Sequence, residues 1–141
     1  MSIERIDHFV LTVRDVAASC AFYERVLGMQ VITFDAGRKA LRFGQHKINL
    51  HPVEGHPILV AARPTPGSAD FCLITQVPLP QVIEHLHVCG AEIVAGPGER
   101  AGALGPIQSV YFRDPDGNLV EVSEVSVEVS VEVSNEADGQ P

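Results

Sequence analysis

The chain states one plan twice. An alternating apolar run over residues 3–14 leads into a helical stripe of Val16, Cys20, Tyr23, Val26 and Leu27, which Gly28 is placed to close. Residues 70–77 lead in the same way into Leu79, Val82, Ile83, Leu86 and Cys89, closed by Gly90. His8 and Asp70, and likewise Gly28 and Gly90, recur about 62 residues apart. Short strands are expected after each helix, at about 29–35, 39–44 and 47–53, and again at about 91–95, 107–113 and 118–124. The second copy is longer by about ten residues, read as a glycine- and proline-rich loop over Gly96–Pro106. Each copy therefore reads β-α-β-β-β.

This repeat sets the expected organisation. Residues 1–124 form one domain, with a first module at 3–53, a linker at 54–69 and a second module at 70–124. Residues 125–141 are an acidic Val/Ser/Glu tail, extended or disordered. The fold class is α+β: two βαβββ modules pairing into a curved mixed sheet around a cleft, with helices outside. A lone module leaves one sheet face uncovered, so the modules need each other.

Charge and composition close off other classes. The formal net charge is −8 with no basic stripe, which argues against nucleic acid. The strongly apolar stretches are far shorter than the ~20 residues that span a bilayer, so no membrane role is expected. The charged start, Met-Ser-Ile-Glu-Arg-Ile-Asp, is unlike a secretion signal. Three cysteines without a Cys-x-x-Cys pair suit reduced thiols in a cytoplasmic protein.

Strand parity then picks out residues for chemistry. If Phe9, Leu11 and Val13 pack on the helix, His8, Val10 and Thr12 face the cleft. The same rule turns Asn49 and His51, Asp70 and Cys72, and Leu119 and Glu121 inward. Charged and polar groups in such a place need mutual pairing or a cation. One imidazole with two carboxylates is the ligand mix of Zn, Ni, Mn or Fe rather than of a thiolate site.

Two stretches carry a resemblance. His8 with Thr12-Val13-x-Asp15-Val16-x-x-Ser19-x-x-Phe22-Tyr23-x-x-Val26-Leu27-Gly28-Met29 resembles the opening signature of the vicinal-oxygen-chelate superfamily. Its members include glyoxalase I, fosfomycin-resistance proteins, extradiol dioxygenases and bleomycin-binding proteins. The run Tyr111-Phe112-Arg113-Asp114-Pro115-Asp116-Gly117-Asn118-Leu119-Val120-Glu121 resembles its closing signature. The resemblance implies metal ligation by His8 and Glu121. It puts Asp70 where most metal-binding members have His, and Asn49 where glyoxalase I has a glutamate. Ser109 and Tyr111 are similar to part of the phosphonate pocket of fosfomycin-type members.

The reading that follows is a divalent-metal-dependent enzyme of lyase or isomerase type, acting on a small oxygen-rich substrate. His8, Asp70 and Glu121 are its expected ligands, and Glu121 and His51 its proton-moving groups. Asn49, Ser109, Tyr111 and Arg100 are its expected substrate contacts, and a homodimer is expected. The alternative is a metal-free binder that sequesters a small molecule, as bleomycin-binding relatives do. Thiol transferase or dioxygenase activity on the same fold is a further alternative.

Overall fold

A computed structural model describes residues 1–126; the tail from 127 onward lies outside the described residues. Two helices and eight strands follow the order β1 (His8–Val13), α1 (Val16–Leu27), β2 (Gln30–Phe34), β3 (Arg38–Phe43), β4 (His46–Pro52), β5 (Asp70–Thr75), α2 (Leu79–Val88), β6 (Ile93–Gly102), β7 (Gly105–Arg113) and β8 (Leu119–Val125). The chain divides into two compact units. One holds Met1–Ala69 together with Asp114–Asn118, and the other holds Asp70–Arg113 with the chain from Leu119.

Each unit carries the β-α-β-β-β order and its own four-stranded mixed sheet. The first runs β1-β4-β3-β2 and the second β5-β8-β7-β6. In both, the opening strand lies parallel to the last, β1 to β4 and β5 to β8, while the remaining pairs are antiparallel. This matched topology is the structural form of the sequence repeat.

Helix α1 starts because Asp15, in extended conformation, accepts a hydrogen bond from the Ala18 N–H. It stops at Gly28, whose left-handed φ of 67° lets its N–H return to Glu24. Its buried face, Ser19, Tyr23 and Val26, joins Leu11, Val13, Leu41, Ile48 and Leu50 in the first core. In the second unit Leu79, Val82 and Leu86 of α2 share the core with Val110, Phe112, Val120 and Val122. The helix-facing parity expected for β1 and β8 is therefore observed. In β4 both parities are buried, since Asn49 and His51 are enclosed as fully as Ile48 and Leu50.

One element departs from expectation. Gly96–Pro106 is not a loop: β6 pairs with β7 from Ile93 to Gly102, with two irregularities in register. Its glycines are there for close approach. A Cβ on Gly96 would sit 2.4 Å from the Ser109 carbonyl oxygen, and one on Gly102 would sit 2.7 Å from that of Gly105. The glycines serve a bulged hairpin, where composition suggests slack chain.

The turn at 114–118 is a buried hub of the first unit. The Asp114 carboxylate accepts the Tyr23 hydroxyl at 2.7 Å and the Asn118 side-chain amide at 2.8 Å. It also accepts the backbone N–H groups of Asp116 and Asn118, both at 2.9 Å. Asn118 in turn receives the Ala69 N–H, and Asp116 receives the Arg14 N–H and guanidinium. Burial and the adjoining Asp114 charge hold the Tyr23 phenol far above its ordinary range, so it acts only as a donor here.

Candidate functional site

The open face of the first sheet is set by register. Thr12 and His51 lie in one row across β1 and β4, with Arg38 at the start of β3 within reach of His51, while Val10, Asn49 and Ala40 lie in the next. Arg38 donates to His51 Nε2 at 3.2 Å. That bond fixes the tautomer: Nδ1 carries the hydrogen, and it is buried without a partner among the described residues, as is Asn49 Oδ1. Burial first, then the Arg38 and His56 charges, push the His51 imidazole below its ordinary value, so it is neutral near pH 7. A small cavity of about 160 Å³ lies beside it, walled by Thr12, Leu59, Arg63 and Ala69 among others.

His8 stands at the start of β1 and is exposed. Its Nδ1 donates to the Asp7 carboxylate at 2.8 Å, which holds that carboxyl below its usual range. With Nδ1 engaged by Asp7, Nε2 is the ring nitrogen left to meet a ligand.

The open face of the second sheet carries the other expected residues. Cys72, Glu121 and Tyr111 occupy one row of β5, β8 and β7, and Asp70 stands on the same face one step along β5. Ser123 and Ser109 fill the next row, both fully buried. The Ser123 hydroxyl reaches Glu121 Oε2 at 3.3 Å and Ser109 at 2.6 Å, and Cys72 Sγ lies 3.2 Å from it. If Ser123 gives its hydrogen to the carboxylate, Ser109 must give its own to Ser123. The Cys72 thiol is pushed up mainly by burial, with the Ser123 hydrogen bond pulling the other way.

Arg100 is tied in three ways. Its Nε donates to the Tyr111 hydroxyl at 3.1 Å, its guanidinium carbon lies 5.4 Å from the centre of the Tyr111 ring, and a terminal nitrogen reaches the Glu99 carbonyl at 2.8 Å. A groove of about 740 Å³ opens on this face, with Ile74, Leu104, Ile107 and Val125 supplying its apolar wall and Cys72, Arg100, Tyr111 and Glu121 its polar groups.

The structure thus gathers Asp70, Ser109, Tyr111, Glu121 and Arg100 on one unit, and His8, Asn49 and His51 on the other. Among the described residues no three His, Cys, Asp or Glu side chains form a group that could hold a metal ion. Sequence reasoning missed Ser123, although a serine at inward parity in a valine-rich strand is a readable signal. It also missed Arg38, Asp7 and Gly98, whose partners come from register and side-chain path.

The model of the Glyoxalase/Bleomycin resistance protein/Dioxygenase superfamily matches residues 5–122. The chain belongs to that superfamily. This glyoxalase-superfamily chain is 54% identical over 124 residues to the Virulence protein STM3117 of Salmonella typhimurium, covering 88% of this chain and 86% of the relative. The crystal structure of that protein superposes with a TM-score of 0.88 at 53% identity, covering 89% of this chain and all of the other. The Glyoxalase domain-containing protein RDO1 of Mycosarcoma maydis is 45% identical over 123 residues, 87% of this chain and 69% of its own. A fosfomycin resistance protein, FosX, of Listeria monocytogenes, solved with Mn(II) and a sulfate ion, shares the fold at 21% identity and a TM-score of 0.62 over 90% of this chain and 94% of that one. The glyoxalase-superfamily fold, and the two-module plan behind it, are therefore established for this chain. Among the described residues no helix is long and apolar enough to cross a membrane.

Proposed function

We propose that this chain is an enzyme that holds a divalent transition-metal ion through His8, Asp70 and Glu121 and acts on a small oxygen-rich substrate by lyase or isomerase chemistry. The Asp7–His8 pair carries this reading. A carboxylate on one ring nitrogen fixes the tautomer and raises the basicity of the other, the usual dress of a metal-ligating histidine. Asp70 and Glu121, on one face of paired strands, add the hard oxygen donors that Zn, Ni, Mn or Fe accept alongside imidazole.

A bound cation would supply Lewis-acid polarisation of neighbouring substrate oxygens. The remaining work falls to the chain itself. Ser123, backed by Ser109, holds Glu121 Oε2, so the carboxylate meets a substrate proton in one orientation. His51, neutral and with its hydrogen on Nδ1, is suited to donate to a substrate oxygen on which charge builds. Asn49 beside it serves as an orienting contact, and Tyr111 with Arg100 reads the substrate on the second unit. Exposed Ile58 and Leu59 support a homodimer, and three free cysteines suit the cytoplasm.

Metal analysis of tag-free protein tests the proposal. About one transition metal per chain is expected, lost in His8→Ala and in Glu121→Ala. Stoichiometric absence, unrestored by Mn²⁺, Zn²⁺, Ni²⁺ or Fe²⁺, would sink it. The second reading, a metal-free binder of small molecules, would then stand, and the largely apolar groove of the second unit is the observation that favours it.

A further inference from the structure

The groove on the second unit has a charge pattern that selects a ligand class. Among the described residues that line it Arg100 is the one basic side chain and Glu121 the one acid, and the rest of the wall is mostly aliphatic. Its volume lies in the range of ~300–1,000 Å³ typical of small-molecule sites.

Arg100 is also built in place, which an exposed arginine ordinarily is not. Its side chain runs along β6 across Gly98, where a Cβ would stand 3.0 Å from its terminal nitrogen. Tyr111 holds it by ring and hydroxyl, and the Glu99 carbonyl holds one terminal nitrogen. Those contacts use Nε and one terminal nitrogen; the second terminal nitrogen is not used by them. A guanidinium fixed beforehand loses less freedom when it binds, and its planar donors match a carboxylate.

We propose that Arg100, seated over Gly98 against Tyr111, receives the anionic head of the ligand, so that the groove takes a small carboxylate with a compact apolar body. Ile74, Leu104, Ile107 and Val125 cover the body, and Arg100 sets the choice of acid over neutral analogue. The inference rests on the groove being the substrate site, yet it does not depend on a cation.

The test is calorimetric titration of chelator-treated protein with 3-phenylpropionate, 3-phenylpropan-1-ol and propionate. The phenyl acid should bind about tenfold or more tighter than the alcohol, which lacks the charge, and than propionate, which lacks the body. Arg100→Gln should remove the margin over the alcohol. Gly98→Val should reproduce that loss with the guanidinium intact, because its methyls block the path to Tyr111. Thermal midpoints within a few degrees of the parent show that the variants fold, and Arg100→Lys should keep part of the margin. The margin should also shrink as salt rises from 0.05 to about 0.5 M. Equal binding of acid and alcohol, no binding of any probe, or a margin that survives Arg100→Gln would overturn the proposal. A failed metal analysis leaves this test untouched, so the two readings fail separately.

Discussion

Asp114 offers the sharpest quantitative test of how this fold is held. Its side chain is buried and accepts from four donors, two of them the fully enclosed hydroxyl of Tyr23 and amide of Asn118. Tyr23→Phe removes one donor and leaves the carboxylate three. Since a hydrogen bond to a charged group contributes about 1.5–3 kcal/mol, a loss of about 2 kcal/mol is expected. Asp114→Asn turns one acceptor into a donor that faces the Asn118 amide, leaving two hydrogen-bearing groups in opposition. That should cost about 3 kcal/mol. Asp114→Ala strands every donor at once. Each enclosed one costs about 1–3 kcal/mol, and the exposed end of the turn can recruit water, so about 4–5 kcal/mol is expected. Urea denaturation followed by circular dichroism would read the series, with a constant m-value as the sign that folded and unfolded states are comparable. The order Tyr23→Phe, then Asn, then Ala is the prediction. An alanine variant that loses less than about 1 kcal/mol, or less than Tyr23→Phe, would refute the hub argument.

Two further predictions follow the same logic. His51 has its charged form disfavoured in the folded state, so the unfolded chain binds its proton first as pH falls below about 6.5. Stability should therefore drop toward pH 5 by up to about 1.4 kcal/mol per pH unit from this group, and the slope should be shallower in His51→Gln; equal slopes in urea midpoints would contradict it. Gly67→Ala places a Cβ 2.5 Å from the Asp116 carbonyl oxygen at φ +78°, whereas Gly37→Ala meets open space at φ +93°. Both carry backbone strain of about 1 kcal/mol, and only Gly67→Ala should lose a further 1–2 kcal/mol or so in thermal unfolding.

Much of this architecture was legible from periodicity. The duplicated strand–helix–glycine pattern located both helices and the two opening strands, because helix caps and buried stripes are local and repeat with the chain. Parity correctly sorted β1, and β8 as far as Val122, into buried and open faces. It could not foresee the burial of Asn49 and His51, since β4 is an inner strand of its sheet and alternation says nothing about what covers the second face. The β6–β7 hairpin was misjudged because glycine marks both loose chain and tight backbone contact, and only the partner strand tells them apart. Candidate residues were readable one at a time. Their partners were less so: Arg38 meets His51 across a strand pair, Ser123 meets Glu121 along one face, and Arg100 meets Tyr111 past a missing side chain.

The turn at Asp114–Asn118 sits between two strands of the second unit yet belongs to the first. A gene cut in the 54–69 segment would therefore yield an amino-terminal fragment whose Tyr23 hydroxyl has lost its acceptor. Such a fragment would lack the turn that groups with its own core, and a swapped or duplicated first repeat would inherit the same gap. The compact units of this chain therefore do not divide at the single seam that the repeat suggests.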